Sequence, residues 1–171
     1  VLKGIGQLIY EQGNGKEALR YLHLALRAAE RLKMHVIHAS TLTEIGRVNL
    51  SLGNLDEADH FAAQALAKAK DVGDPVEVAE ATTVLARIGA QRDDAGTAIK
   101  LYKEAFAAFK DLKVAAKASE VAQELGLFLR GRGAHAQAAR YLALSLEQRA
   151  VGSPGAVERV IAGPSEQETP T

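Results

Sequence analysis

Between residues 35 and 72 the chain carries two apolar stretches of helical spacing, split by Gly53-Asn54. In the first, Leu42, Ile45 and Val48 recur every three residues and predict a helix over residues 35–52. Gly53 ends it, because glycine takes the left-handed conformation that closes helices without strain. In the second, Phe61, Ala62, Ala65, Leu66 and Ala69 predict a helix from about Leu55. Its first turn holds Asp56, Glu57 and Asp59, acids that complement the positive end of the helix dipole. Gly73-Asp74-Pro75 then breaks the chain, with Asp74 suited to cap the next helix and Pro75 to enter its first turn.

This two-helix unit returns at a shift of forty residues. Gly6, Gly46, Ala86 and Gly126 form one column, preceded by Ile5, Ile45, Leu85 and Leu125. Gly13, Gly53, Asp93 and Gly133 form another. Ala18, Ala58, Ala98 and Ala138 follow, then Ala25, Ala65, Ala105 and Ser145, each beside Leu26, Leu66, Phe106 or Leu146. Such columns, held without insertion or deletion, define an internal repeat. The repeats run over approximately 1–34, 35–74, 75–114 and 115–150. Small residues at Gly46 and Ala58 imply that the two helices of a unit, A and B, pack closely. Glycine inside a helix costs about 1 kcal/mol relative to alanine, a cost that close packing offsets.

The columns resemble the tetratricopeptide repeat, which places Leu-Gly before a short turn, Ala twelve residues beyond the Gly and Ala-Leu seven residues later. Here these are Ile45-Gly46, Ala58 and Ala65-Leu66. The resemblance covers residues 1–150 and implies an all-α, right-handed solenoid of four such helix-turn-helix pairs. HEAT and armadillo arrays also have periods near forty residues, but the Gly and Ala columns fit this family better. The family's unit is roughly 34 residues long, so about six extra residues must lengthen the helices or the linkers. The aromatic residue expected after the first Ala is Tyr102 in the third copy, but Leu22, Ala62 and Leu142 in the others. Stretched units of this kind are similar to those in the C-terminal halves of bacterial helix-turn-helix regulators.

The resemblance implies binding without catalysis. Helices A of the family line a concave groove that holds extended peptides or helices. Groove positions lie three before, one after and four after the Gly column, on one helix face. They are Lys3, Gln7 and Tyr10; Thr43, Arg47 and Leu50; Thr83, Arg87 and Ala90; and Gln123, Leu127 and Arg130. Arginine grips carboxylates bidentately, so Arg47 and Arg87, one repeat apart, favour an acidic peptide or a free C-terminus as partner. The family's carboxylate clamp for chaperone C-termini is not reproduced. Lys3 fits it, but Gln7 replaces an Asn, and Glu44, Glu80 and Val84 stand where its other polar and cationic residues belong. The expected function is a protein- or peptide-binding scaffold. The alternative is a sensory or oligomerisation module, a homodimer included, of a transcription regulator whose DNA-binding domain lies upstream.

Composition narrows the field further. Basic and acidic residues cancel at 21 each, which leaves no nucleic-acid or membrane footprint in the totals. The lysines at 100, 103, 110, 113 and 117 lack interleaved aromatics and read as a solvated face. There is no cysteine, hence no disulfide or thiolate chemistry, which fits a cytoplasmic setting. No catalytic set, metal or cofactor is expected. His35 and His38 share a helix face but lack a third ligand, and the acid pairs Asp56-Glu57 and Asp93-Asp94 sit at helix starts. GNGKEA and GRGAHA lack phosphate-loop spacing and read as turns. After Ala150 the composition changes: three of the four prolines lie in residues 151–171. A short helix over residues 156–162 is expected to dock on the array's end, and residues 163–171 to be disordered. The first helix A begins without a capping residue, so its outer face is expected to be covered by preceding chain or by a second copy.

Overall fold

A computed structural model describes residues 1–152. The docking helix expected at 156–162 and the disorder expected at 163–171 lie outside the described residues. The fold is all-α on the plan of a helical-repeat solenoid, with eight helices and no strand among the described residues. They are α1 (Leu2–Glu11), α2 (Gly15–Arg31), α3 (His35–Ser51), α4 (Leu55–Val72), α5 (Pro75–Gln91), α6 (Ala95–Asp111), α7 (Ala115–Gly131) and α8 (His135–Gly152). The chain divides into two compact units, Val1–Leu112 and Lys113 onward.

In the first unit three pairs, α1–α2, α3–α4 and α5–α6, each fold as a helical hairpin. The second helix of one pair packs on the first helix of the next: α2 on α3, and α4 on α5. The first helices also touch each other, α1 on α3 and α3 on α5. The second unit is a single hairpin of α7 and α8.

The extra residues of the long repeat lie in the helices. Apart from α1, with ten residues, every helix has 17 or 18. The connections are two or three residues long and share one geometry. A left-handed residue occurs at 13, 33, 53, 73, 93, 113 and 133, every twentieth position. In six of these turns the next amide reaches back five residues to a carbonyl of the preceding helix. Asn54 N lies 3.0 Å from Asn49 O, and Asp74 N 3.0 Å from Ala69 O. This bond satisfies a carbonyl that the helix end would otherwise leave unpaired. The forty-residue period is therefore a doubled twenty-residue module. Asp74 caps α5 by accepting the Glu77 amide at 3.0 Å, with Pro75 in the first turn.

The small-residue columns sit where the hairpins close. A methyl group added at Gly46 would come within 3.3 Å of both Ala58 O and Ala62 N, backbone atoms of the partner helix. Gly6 and Gly126 face leucines, Leu22 and Leu142, as well as the backbone carbonyls of Ala18 and Ala138. In the third repeat Ala86 occupies the glycine column, and the close approach moves one turn on, to Gly89 against Ala98. The core is aliphatic. Leu22 packs with Ile45 and Val48. Ala58 and Ala62 pack with Val84 and Ile88.

Candidate interaction surface

In the first unit, helices α1, α3 and α5 present the positions where a groove is expected. A polar ladder joins them. Lys3 Nζ donates to Ser40 Oγ at 2.9 Å. The Thr43 hydroxyl donates to the Glu77 carboxylate. Arg47 reaches Glu80 Oε2 at 3.1 Å with one nitrogen and Glu44 Oε1 at 3.4 Å with the other. Successive first helices are thus held by charge-assisted bonds, in addition to the apolar contacts of each hairpin.

Burial sorts the sequence-derived groove residues into two sets. Thr43, Leu50 and Thr83 are enclosed. They are expected from their spacing to meet a ligand, and here they lie buried on α3 and α5, which pack on each other. The Thr83 hydroxyl is turned inward to the Ala79 carbonyl at 2.8 Å. Lys3, Gln7, Tyr10, Arg47, Arg87 and Ala90 are half-exposed. In the second unit Leu127 and Arg130 are exposed on α7. Gln123, half-exposed, accepts a hydrogen bond from the Arg149 guanidinium.

The carboxylates of the ladder are the residues that the groove spacing did not find. Glu77 is pushed above the usual carboxylate range, chiefly by burial, while the Thr43 hydroxyl and the Lys3 charge oppose that shift. Glu44 is buried beside Arg47. The signal lay in the spacing: Glu80 follows Arg47 by 33 residues, one repeat less two helical turns, which keeps both on one face. Arg47 Nε is itself buried and meets no acceptor among the described residues.

Other polar groups lie apart from this face. His38 borders a cavity of about 140 Å³ with His35, Glu30 and Lys68, and burial lowers its pKa first, with the Lys68 charge next. Among the described residues no group of three or more His, Asp or Glu is placed to hold a metal ion. On the B helices, Arg92 joins α4 to the turn before α6, with Asp56 at 2.7 Å and Asp59 at 2.9 Å. Lys100, Lys103 and Lys110 are exposed on α6. No helix among the described residues is long and apolar enough to cross a membrane.

Comparison with known proteins agrees with the repeat. The family model for the tetratricopeptide repeat matches residues 1–71. Among solved structures, BtubC (BKLC) from P. vanneervenii aligns over 99% of this chain and 67% of its own, with a TM-score of 0.76 and 15% identity. That likeness is one of fold. Two crystal structures of MamA align at 21% and 19% identity, with TM-scores of 0.44 and 0.45. They cover 85% and 98% of this chain and 94% and 96% of their own. A comparison with curated proteins finds no match.

Proposed function

With residues 1–71 belonging to the tetratricopeptide-repeat family, we propose that the chain is a non-catalytic scaffold that holds a protein or peptide along its first-helix face. A protein-interaction scaffold is the coarse reading that the repeats themselves support. The finer step is the surface. The observation that carries it is the row of half-exposed Lys3, Gln7, Tyr10, Arg47 and Arg87 on α1, α3 and α5. Their anchoring helices are locked together by the ladder, so a ligand meets positions that are already ordered. Preorganisation of this kind lowers the entropic cost of association.

The ladder also refines the ligand. Arg47 already faces two carboxylates, so its charge is largely answered within the chain. An acidic ligand would then lie along the row from Lys3 to Arg87, with Tyr10 as its apolar anchor. Selection from a displayed peptide library on the intact chain would test this. Selected peptides are expected to bind at least about tenfold more weakly to the Tyr10→Ala, Arg87→Glu variant, a change of about 1.4 kcal/mol or more. Equal binding to both proteins would sink the reading and move the site elsewhere. The second reading, a sensory or oligomerisation module of a bacterial transcription regulator, draws support from Leu8 and Leu146, exposed apolar side chains on α1 and α8.

A further inference from the structure

A shift of forty residues carries one cavity of the first unit onto another. Ala29, Glu30, His35, His38 and Lys68 line a space of about 140 Å³ where α2 and α3 meet α4. Their counterparts Ala69, Lys70, Pro75, Val78 and Ala108 all line a second space, of about 520 Å³, where α4 and α5 meet α6. Valine and alanine border the larger space in the columns of His38 and Lys68. The same helix stacking therefore accepts an uncharged lining at these two columns. At the α2–α3–α4 junction they hold a titratable ring and an ammonium instead.

The ring is poorly placed to carry charge. His38 Nδ1 is buried and meets no hydrogen-bond partner among the described residues. An imidazolium donates from both nitrogens, so the charged ring would carry a buried N–H without an acceptor. Leaving such a donor unsatisfied costs more than an ordinary hydrogen bond contributes. Lys68 of α4 and His35 of α3 oppose a positive charge on His38, and Glu30 of α2 favours one. On the other helices packed against α3, Lys3 of α1 holds Ser40 and Glu77 of α5 accepts from Thr43. Burial is the largest influence, and with Lys68 it holds the imidazole below the ordinary histidine range.

We propose that this junction is an acid-sensitive joint, in which protonation of His38 adds a second cation to the space already lined by Lys68 and loosens α3 from α2 and α4. A ring whose folded pKa lies below its unfolded value, 6.5, contributes stability that is complete above that value. The contribution is lost as pH falls through the folded pKa. The joint does not rest on the peptide-binding reading, since none of His35, His38 and Lys68 belongs to the ladder.

Urea midpoints of the intact chain at about pH 7 and about pH 5, on either side of the histidine range, test this. His38→Val and Lys68→Ala, which install the residues of the second cavity, are measured beside the wild type. The wild-type midpoint is expected to fall with pH further than that of His38→Val, and that of Lys68→Ala to fall by an intermediate amount. His23, which burial and then Arg27 also hold below the ordinary range, is present in all three proteins and cancels in the difference. If His38→Val does not fold, His38→Gln takes its place, since glutamine is polar and takes no charge. In hydrogen exchange at about pH 5, amides of α3 beside His38 are expected to lose protection in the wild type and to keep it in the His38 variant. The titration of the His38 ring, followed by NMR, is expected to move upward in Lys68→Ala. Midpoints of wild type and His38 variant that fall in parallel would overturn the proposal, because a purely structural role shifts both pH values equally. Unchanged protection of the α3 amides, or a His38 titration that Lys68→Ala leaves in place, would overturn it as well.

Discussion

Arg47 of α3 and Glu80 of α5 form an ion pair at 3.1 Å that ties the first helix of one repeat to the first helix of the next. Both side chains are largely removed from water, at 27% and 17% exposure, so the pair is screened less than a surface one. The same guanidinium answers buried Glu44. Arg47→Ala would leave two carboxylates short of their cation, and is expected to cost about 1–3 kcal/mol. Glu80→Ala should cost less, since Arg47 keeps Glu44. Urea unfolding of the two single variants and the double variant closes the cycle. A coupling of about 1 kcal/mol is expected, and additive effects would show that the pair is not formed in solution.

The closest approach of a hairpin separates two glycine substitutions. At Gly46 any side chain meets backbone atoms of α4 that cannot turn aside. Gly46→Leu introduces a good helix former, yet it is expected to lower stability by about 1–3 kcal/mol through overpacking. At Gly4, in α1, an added methyl group meets nothing within 4 Å. Gly4→Ala is expected to raise stability by about 0.5–1 kcal/mol through helix propensity alone. Thermal melts of both variants measure the difference. A neutral Gly46→Leu would mean that the hairpin opens without cost.

What the sequence disclosed follows from the kind of contact each residue makes. The Gly46–Ala58 approach recurs in related form in every hairpin, so it leaves columns that a shift of forty reveals. The shift of forty aligns Arg47 with Arg87 and Glu80 with Glu120, but it does not pair arginine with glutamate, so only the helical arithmetic of the 33-residue spacing points to the contact. Thr43, Leu50 and Thr83 lie on the expected helix face. Their burial depends on how closely α3 and α5 approach, which no single-helix pattern records. The twenty-residue turn module was hidden for another reason. Glycine marks the left-handed position at 13, 53, 73 and 133, but lysine or aspartate occupies it at 33, 93 and 113.

Glu77 gives the fold a pH dependence of definite sign. Burial raises its folded pKa above the unfolded value, against the pull of Thr43 and Lys3. A carboxyl shifted upward contributes stability below its unfolded pKa, and that contribution is lost as pH rises through the folded pKa. Once ionised, therefore, Glu77 weighs against the fold. Glu77→Gln keeps an oxygen that accepts from the Thr43 hydroxyl and removes the charge. Unfolding midpoints of the variant and the wild type should differ most, in favour of the variant, on the alkaline side of the folded pKa. The gap should close as the pH falls through the ordinary glutamate range near about 4.3. A gap that stays constant with pH would show that the carboxyl titrates normally.

The turn module predicts opposite effects for one chemical change made in opposite directions. Lys33 stands at φ 53° in the column where Gly73 stands at φ 70°. A lysine there carries the left-handed penalty of an L-residue, about 1–2 kcal/mol, and glycine does not. Glycine also widens the unfolded ensemble, which returns part of that gain. Lys33→Gly is therefore expected to stabilise by about 0.5–1 kcal/mol. Gly53→Ala, at φ 78° with open space around it, should destabilise by about 1 kcal/mol through the backbone alone. Neither change disturbs the core, so denaturant m-values should be unchanged and the whole effect should appear in the midpoint. If Lys33→Gly instead destabilises, the lysine side chain makes an interaction worth more than the strain of its backbone, and the turn would not be governed by conformation.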